Sequence, residues 1–540
     1  MKGKVLIGNG GAEYNVRGYI SAYDAETGKL VWRFYTVPGD PSKPDHAASD
    51  AVLKAKATPT WRGKWWTWGG GGTVWDSIVY DPETDLLIFG TDNGDPWNRE
   101  VRTGGHGDNL FVTSIVAVRP DTGQYVWHYQ LNPGDEWDYS ATQQIVLADL
   151  TLNGQPRKLL MQAPKNGFFY VIDRTNGKLI SAKPFAPVTW ASGIDLKTGR
   201  PIENAASRYS ENAKPWTGAP SPHGAHSWMP MSFNPKTGLV YIPVQDVSFT
   251  YVPDMHFVHK SMGINPGLDM AANSMPQDPK IKSQVMESLH GSILAWDPIQ
   301  QKAVWQVGLK GPWNGGIVTT AGDVLFEGNA GGEFAAYRVD GGQKLWSFDA
   351  QGPVMAGPAT YSIGGDQYVA VLSGWGGTYP LVTGIVSYKS GNLHNASRVL
   401  VFKLGGQARL PPLPAAQPRV LSTAPDAASA AQVDHGFKLY SRYCGSCHGD
   451  AVVSGGVTPD LRYSPLLASE SFFDVVLGGA LKANGMVSWS PVLTRADAED
   501  VRAYIVHRAH QTADQKARHE PWTGVTAVRR GRDCRCGFSR

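Results

Sequence analysis

A short phrase recurs along the first two thirds of the chain and in its clearest copies ends in tryptophan. An apolar pair is followed by Asp or a substitute, a turn containing Gly, and an apolar stretch, a pattern typical of a β-hairpin. Self-similar units with one Trp per repeat predict a β-propeller, in which the Trp docks against the neighbouring unit. The strong copies are Ala22–Trp32, Ala117–Trp127, Ala295–Trp305 and Ala336–Trp346, and weaker ones are Val171–Ile180 and Phe233–Tyr241.

The spacing of the repeats limits the number of blades. Trp305 and Trp346 lie roughly 41 residues apart, which suits one four-stranded blade. The repeats predict about five to six blades, with long inserted loops around residues 40–75 and 185–290. Composition agrees, because 62 Gly and 37 Pro with only 18% charged residues favour short strands joined by tight turns.

A second motif, Cys444-Gly-Ser-Cys447-His448, has the spacing of covalent c-type haem attachment. Both cysteines would bond the haem, and His448 would be the proximal iron ligand. Met486 is the only methionine between His448 and the C-terminus, and Met/His ligation suits electron transfer. The alternatives are a thioredoxin-like or zinc-binding CxxC with a chance His, and a methionine that fills the core.

Apolar residues at helical spacing predict one helix before the haem motif and another near the end of the chain. The second helix begins at Thr494, with Asp497 in place of the usual Glu or Gln of a capping box. We expect the two helices to pack closely, with Gly436 at their contact. The apolar positions are Val433, Phe437 and Tyr440 in the first helix and Val501, Tyr504 and Ile505 in the second.

A chain of 540 residues is long enough for two domains. The prolines and small residues of segment 405–431 predict an extended, semi-rigid linker. This linker would separate a propeller at residues 1–404 from a small all-α cytochrome c domain at residues 432–515. Residues 516–540 are predicted to form a disordered tail.

Charge and cysteine content exclude several classes of protein. The net charge is only +3 and the basic run lies in the predicted tail, so no nucleic-acid partner is expected. Cys534 and Cys536 at the extreme end give no disulfide framework. No apolar run of membrane-spanning length exists, so no membrane span is predicted. The first residues indicate a strand and a glycine turn instead of an export signal, although attached haem c implies a periplasmic location.

Three polar segments carry a family resemblance: Gly8–Glu13, Gly90–Arg99 and Gly134–Tyr139. With the tryptophan repeats and the trailing haem motif, they resemble the pyrroloquinoline quinone (PQQ)-dependent alcohol dehydrogenases, specifically the soluble quinohaemoprotein type. In that family an eight-bladed propeller holds PQQ and Ca²⁺ near its axis. The resemblance therefore implies an all-β propeller, incomplete here, followed by a small all-α cytochrome c domain.

The resemblance also implies a calcium site formed by Glu13, Asn93 and Asp138. Hard Ca²⁺ prefers oxygen ligands, and an Asp carboxylate can in addition accept a hydroxyl proton, which would make Asp138 the catalytic base. The alternative is that all three are ordinary turn residues in Gly-rich loops.

Further residues match cofactor and substrate contacts of the family. Trp75 corresponds to the floor under PQQ, where a flat indole can stack on the quinone, and Trp97 to the lining of the alcohol channel. For the tryptophans, blade packing is the alternative. The residues matched to PQQ contacts are Gly11, Ala12, Thr73, Trp75, Lys165, Trp313 and Asn314.

The implied reaction is oxidation of a small-molecule alcohol to the aldehyde or ketone. Ca²⁺ would polarise the quinone carbonyl, Asp138 would accept the alcohol proton, and hydride would pass to the quinone. Lys165 would stabilise charge on the quinone oxygens. Electrons would then reach the haem and an external acceptor such as a copper protein or cytochrome. The substrate stays open among alcohols, sugars, polyols, polyvinyl or polyethylene glycols and aldehydes.

One departure from the family concerns the start of the chain. Family members carry further blades upstream, with an adjacent cysteine pair and an arginine and a threonine that bind the cofactor. This chain begins 12 residues before Glu13 and contains no Cys-Cys pair. We therefore expect an N-terminally truncated fragment with an open propeller, poorly soluble and inactive with PQQ. The alternative function is a catalytically inactive electron-transfer or binding protein; retention of Glu13, Asn93, Asp138 and Lys165 favours the enzyme.

Overall fold

The structure is a computed structural model that describes residues 1–376, 379–384, 386, 389, 395–415 and 418–518. Within these residues the strands form six antiparallel sheets in succession, four of them four-stranded and two three-stranded. Each is a meander, as in a propeller blade. With strands numbered in chain order, the first three sheets are β1 (Lys4–Gly8), β2 (Tyr19–Asp24) and β3 (Leu30–Tyr35); β4 (Ile78–Asp81), β5 (Leu86–Gly90), β6 (Ser114–Val118) and β7 (Tyr125–Gln130); and β8 (Val146–Leu152), β9 (Gln155–Gln162), β10 (Phe168–Asp173) and β11 (Lys178–Pro184).

The long insertion before and within the fourth sheet carries two small strand pairs. These are β12 (Ala191–Asp195) with β13 (Arg200–Glu203), and β14 (Trp216–Gly218) with β17 (Phe249–Tyr251). The last three sheets are β15 (Ser232–Asn234), β16 (Leu239–Asp246), β18 (His290–Asp297) and β19 (Lys302–Leu309); β20 (Asn314–Thr319), β21 (Val324–Asn329), β22 (Glu333–Arg338) and β23 (Lys344–Asp349); and β24 (Ala359–Ile363), β25 (Asp366–Ser373) and β26 (Arg398–Lys403).

The predicted hairpins are confirmed. In each strong copy the first alanine pairs directly with the terminal tryptophan on the adjacent strand, so the small residue leaves room for the large one on the same face. These pairs are Ala22 with Trp32, Ala117 with Trp127, Ala295 with Trp305, and Ala336 with Trp346.

Three of the repeated tryptophans pack on the turn glycine of the following sheet, as the repeat predicts. A Cβ atom at any of these glycines would lie less than 3 Å from the indole, and each glycine has a left-handed φ. The same glycine therefore forms the turn of its own hairpin and provides the surface on which the tryptophan of the preceding sheet packs. The pairs are Trp32 with Gly123, Trp127 with Gly177, and Trp305 with Gly342.

The outermost sheets expose apolar side chains. On β1, Val5 and Ile7 are 56% and 53% exposed, and on β26 Val399 and Val401 are 69% and 52% exposed. The alternation along each strand shows that, among the described residues, nothing packs on one face of each of these sheets.

The remaining described residues are mostly loops and helices. Two helices, α6 (Ala430–Tyr443) and α9 (Arg495–Ala517), cross closely: a Cβ atom at Gly436 would lie 1.9 Å from the carbonyl oxygen of Asp500, which confirms the predicted contact. α9 begins with the predicted Thr494–Asp497 capping box. The helices are α1 (Asp50–Val52), α2 (Arg99–Thr103), α3 (Tyr209–Asn212), α4 (Pro279–Glu287), α5 (Tyr379–Thr383), α6 (Ala430–Tyr443), α7 (Gly445–His448), α8 (Ser471–Val476) and α9 (Arg495–Ala517).

The described part of the predicted linker packs in part on the helical domain. Ala424 belongs to the apolar core around α6 and α9, and the Ser422 amide donates to the Arg462 carbonyl at 2.8 Å. The predicted domain boundaries remain predictions, and residues 519–540 of the predicted tail lie outside the described residues.

Among the helices that the structure describes, none combines the length and the apolar character needed to cross a membrane.

Candidate active site and haem-binding motif

Glu13 lies in a three-residue 3₁₀ turn, Ala12–Tyr14. Gly11 before the turn and Asn15 after it both adopt left-handed conformations, which bend the chain sharply at each end. The Glu13 carboxylate accepts hydrogen bonds from Asn93 Nδ2 at 2.9 Å and from Trp97 Nε1 at 3.0 Å. Three predicted site residues from two separate segments therefore meet at one carboxylate.

Asn93 provides the test of whether a metal fits here. The residue is fully buried, and among the residues that the structure describes none donates a hydrogen bond to its side-chain Oδ1. A buried acceptor without a partner is costly, so the site is suited to a positive ligand. An amide oxygen beside a carboxylate is the type of donor set that Ca²⁺ accepts. Glu13 and Asn93 therefore fit the ion implied by the sequence.

Asp138 and Lys165 form a buried ion pair. Lys165 Nζ lies 3.1 Å from Asp138 Oδ2 and donates to the Asp138 carbonyl at 2.9 Å. Burial raises the pKa of Asp138 well above its usual range, Lys165 opposes this, and Glu13 and Asp92 add to it. The pKa of Lys165 is raised, because attraction to Asp138 and Asp92 exceeds the opposing effect of burial. Asp138 is also held at φ 63°, a conformation uncommon outside glycine and often found at functional sites.

Asp92 connects the predicted quinone contacts, and the sequence reasoning missed it. Thr73 Oγ1 donates to Asp92 Oδ2 at 2.9 Å, and the Trp75 indole favours the ionised form of the same carboxyl group by lowering its pKa. Burial raises the pKa of Asp92 to about 6, with Glu13 adding to the rise. The feature of the sequence that could have identified Asp92 is its position next to Asn93, a predicted calcium ligand. Thr73, Trp75 and Lys165 thus share one electrostatic environment with the Glu13 carboxylate.

Arg102 was also missed. This fully buried guanidinium donates to the carbonyls of Pro96 and Trp97 at 2.5 and 3.1 Å and to that of Asp135 at 2.5 Å. It therefore ties the segment of Trp97 to the segment that ends in Asp138. Burial raises the pKa of Asp135 to about 7, with Arg102 opposing it. No sequence pattern indicates that an arginine in a five-residue helix is buried and connects two separate segments by hydrogen bonds.

Trp313 and Asn314 join the rest of the site less directly. Trp313 is buried, with its ring edge-on to His223 at 5.8 Å between centroids. Burial and then Lys165 lower the pKa of His223 to about 3, so His223 lies within electrostatic reach of that lysine. The Asn314 side-chain oxygen accepts from the Gly316 amide at 2.9 Å. That bond shapes the start of β20.

The haem motif follows α6. Cys444 is buried and Cys447 is exposed, and both are free thiols. His448 Nδ1 lies 2.9 Å from the Pro459 carbonyl; because a carbonyl only accepts, Nδ1 carries the proton and Nε2 keeps its lone pair for a metal. Burial lowers the pKa of His448, which favours the neutral, ligating form. Met486 packs against the apolar cluster that contains Cys444. The residues fit a haem bound between His448 and Met486.

Comparisons with known proteins agree with this geometry. Residues 2–191 and 277–369 match the family model "Glucose/ethanol/alcohol dehydrogenase, beta-propeller domain", and residues 431–505 match "Cytochrome C oxidase, cbb3-type, subunit III". The quinohemoprotein alcohol dehydrogenase ADH IIB of Pseudomonas putida is 51% identical over 96% of this chain and 73% of its own length. The dehydrogenase subunit of the quinone alcohol dehydrogenase of Acetobacter aceti is 48% identical over 95% of this chain and 69% of its own.

A solved structure shows the same relationship. The structure of ADHIIG from Pseudomonas putida superposes with a TM-score of 0.86 at 44% identity, covering 95% of this chain and 75% of that chain. Fold and site thus define a propeller quinoprotein joined to a cytochrome c domain. More narrowly, the chain belongs to the quinohemoprotein alcohol dehydrogenase family. The predicted family, the fold class and the cofactors PQQ and haem c are confirmed, and Ca²⁺ is typical of the family.

Proposed function

We propose that this protein oxidises an alcohol to the aldehyde or ketone at the site around Glu13 and Asp138, and passes the electrons through its own c-type haem to an external acceptor. The observation that carries the proposal is the pairing of two buried features. One is the Glu13–Asn93 contact, with its unsatisfied amide oxygen. The other is the Asp138–Lys165 ion pair, electrostatically coupled to Glu13.

Each residue has a distinct role in this proposal. Glu13, Asn93 and Asp138 hold the calcium ion, while Gly11, Ala12, Thr73, Trp75, Lys165, Trp313 and Asn314 surround PQQ. When bound, calcium supplies Lewis acidity, PQQ accepts two electrons, and haem carries electrons one at a time. Trp97, fixed by its bond to Glu13, lines the alcohol channel.

Asp138 accepts the alcohol proton in this proposal. The side chain keeps 13% of its surface exposed, so a substrate hydroxyl can approach it. A base must be ionised, and burial alone would keep Asp138 protonated. The Lys165 ammonium at 3.1 Å opposes that effect in part by stabilising the carboxylate. A bound Ca²⁺ would favour the ionised form further, and Lys165 also presents positive charge to the cofactor side of the site.

The haem motif suggests the fate of the electrons. Cys444 and Cys447 would attach the haem, and His448 and Met486 would ligate its iron. A copper protein or a second cytochrome is the acceptor class we propose, and haem c attachment supports a periplasmic location. None of the observations favours the alternative of a catalytically inactive binding protein, so we propose activity in place of the inactivity with PQQ that the sequence led us to expect.

Reconstitution tests the proposal. The purified chain is incubated with PQQ and Ca²⁺, and reduction of an artificial dye is measured with primary and secondary alcohols, polyols, sugars and aldehydes. We expect alcohol-dependent dye reduction that requires both additions. The same rate without PQQ, or no reduction by any substrate once PQQ binding has been verified by equilibrium dialysis, would exclude the proposed reaction.

A further inference from the structure

A loop at residues 254–268 lies between the Glu13 turn and the helical domain. We infer that this 254–268 loop, anchored by Asn265, is a positioning element that holds the Glu13 turn and couples it to the docking of the haem-binding domain. The inference rests on the proposed function, because it takes Glu13 as a ligand of the metal. The loop has no helix or strand, and its sequence shows no motif.

Asn265 is the anchor on the side of the metal site. Its backbone amide donates to the Glu13 carbonyl at 3.0 Å. Its buried side chain closes the loop on itself, because Oδ1 accepts from the Lys260 amide at 3.0 Å and Nδ2 donates to the Lys260 carbonyl at 2.9 Å. Residue 265 therefore fixes the shape of the loop and the backbone of Glu13 together.

Asn15 adds a second attachment at the other end of the same turn. Its side-chain oxygen accepts from Asn265 Nδ2 at 3.3 Å and lies 2.5 Å from His259 Nε2. The His259 ring stacks on Trp68, with 5.5 Å between centroids. Glu13 is thus held from both sides by one loop, which compensates for the shortness of its turn.

The helical domain contacts the opposite side of the loop. Arg442 Nη2 donates to the Val258 carbonyl at 2.8 Å. A Cβ atom at Gly263 would lie 3.5 Å from the Tyr443 ring and 3.6 Å from Trp489, so both rings pack directly on the loop. Tyr443 is the residue before Cys444. The 254–268 loop therefore contacts both the Glu13 turn and the residue that immediately precedes the haem motif.

The loop also reaches the substrate side. Asn98, the residue after Trp97, donates from its backbone to Pro266 at 3.0 Å and from its side chain to Gly267 at 3.1 Å. A side chain at Gly267 would collide with Asn98, because a Cβ atom there would lie 2.5 Å from Asn98 Cβ. One loop thus supports the carboxylate, the channel segment and the haem domain.

This arrangement predicts thermodynamic coupling. If docking of the helical domain stabilises the loop in the shape that positions Glu13, loss of docking must weaken metal binding, and metal binding must strengthen docking by the same factor. A ligand residue in a short turn depends on such outer contacts for its geometry.

Calcium affinity measures the coupling without relying on catalysis. Ca²⁺ is titrated into the full, haem-loaded chain by isothermal titration calorimetry. We expect Asn265→Ala to weaken Ca²⁺ binding about tenfold, since it removes buried hydrogen bonds that shape the Glu13 turn. Arg442→Ala should weaken binding about threefold, the effect of losing about one exposed bond. Met255→Ala, in the same loop but 63% exposed, is the control and should not change the affinity.

The outcomes separate this inference from the proposed function. Glu13→Gln should lose binding; if the unaltered chain binds no Ca²⁺, or Glu13→Gln binds it equally well, the metal assignment itself is wrong. If Ca²⁺ binds but Asn265→Ala binds as tightly as the unaltered chain, the positioning role is refuted. Should Asn265→Ala fail to fold, Asn265→Asp, which retains the shape but loses the amide donors, takes its place. Unchanged affinity in Arg442→Ala would overturn the coupling to the haem domain.

Discussion

The chemistry of the site depends on how single buried charges are paired. Asp138 and Lys165 form an ion pair at 3.1 Å, whereas Asn93 Oδ1 has no donor within the described part of the chain. Removing one member of a buried ion pair leaves the other charge unpaired and poorly solvated. Substitutions here therefore change the electrostatics of the site as much as its shape.

Asp138→Asn tests the proposed base. The amide has the size of the carboxyl group but cannot accept a proton, so the turnover number should fall by about 10² or more. PQQ binding should persist in part, because the remaining cofactor contacts are intact. Steady-state kinetics with reconstituted enzyme and equilibrium dialysis of PQQ provide the two readings. Full turnover in this variant would rule out Asp138 as the base.

Glu327 is a buried acid of β21, outside the candidate site. Burial raises its pKa from 4.5 to about 8, with Glu333 adding and Asn329 and Lys344 opposing. Since the folded pKa exceeds the unfolded one, between these values the folded chain holds a proton that the unfolded chain has lost. The free energy of unfolding therefore falls by about 1.4 kcal/mol per pH unit across that window.

Glu327→Gln should abolish this pH dependence. From pH 5.5 to 7.5 the unaltered protein should lose about 3 kcal/mol of stability relative to the variant, because the amide does not titrate. Urea denaturation followed by tryptophan fluorescence at the two pH values gives the comparison. Parallel pH profiles for the two proteins would show that Glu327 is ionised in the folded state at neutral pH.

Met486→Ala tests the second haem ligand. Loss of the thioether should remove the weak sulfur-to-iron absorption band at the red end of the spectrum and lower the haem potential, since methionine ligation raises it. Optical spectra and a redox titration give both readings. An unchanged spectrum and potential would remove Met486 from the ligand set.

At the scale of elements, the packing between sheets depends on the repeated tryptophans. Trp127 is 5% exposed and packs on Gly177 of the next sheet, whereas Trp346 is 39% exposed. The same position in the repeat therefore contributes differently along the series.

Trp127→Ala should destabilise the sheets by about 3–5 kcal/mol, the usual cost of truncating a buried tryptophan. Trp346→Ala is the matched control and should cost clearly less, because its indole is already partly in water. Urea midpoints measured by circular dichroism would show the difference. Equal losses in the two variants would mean that packing on the turn glycine adds little.

Sequence reasoning succeeded where local chemistry marks the residue. The hairpin repeats, the Gly436 contact and the Thr494–Asp497 cap follow from spacing and turn composition, and the structure has all three. Glu13 and Asn93 were found because they lie in Gly-rich segments that resemble a known family, and the structure brings their side chains to 2.9 Å.

Other contributions could not be predicted, because they depend on tertiary contacts between distant segments. Arg102 can link the segments of Trp97 and Asp135 only because the fold brings both segments next to its guanidinium group. Asn265 lies 250 positions from Asn15, and nothing in the sequence of its own loop indicates that they touch. Asp92 was predictable in principle from its place beside Asn93.

At the scale of the whole molecule, the two domains are in direct contact. In addition to the 254–268 loop, the Ser274 hydroxyl lies 3.3 Å from that of Ser441 on α6, and Met275 donates to the Asp450 carboxylate. Burial and then Cys447 raise the pKa of Tyr14, the residue after Glu13, so the Cys447 thiol of the predicted haem motif acts electrostatically on the Glu13 turn. The candidate active site and the helical domain are therefore linked by direct contacts between their loops.

Because the two domains are in contact, reduction of the chain's own haem by an alcohol is the most direct test of the proposed function. The haem-loaded protein is reconstituted with PQQ and Ca²⁺, mixed anaerobically with alcohol in the absence of dye, and followed by the absorption of ferrous haem c. We predict rapid reduction that requires PQQ and Ca²⁺ and is slowed strongly by Asp138→Asn. A haem that stays oxidised with PQQ and Ca²⁺ bound, for primary and secondary alcohols alike, would contradict the proposed function.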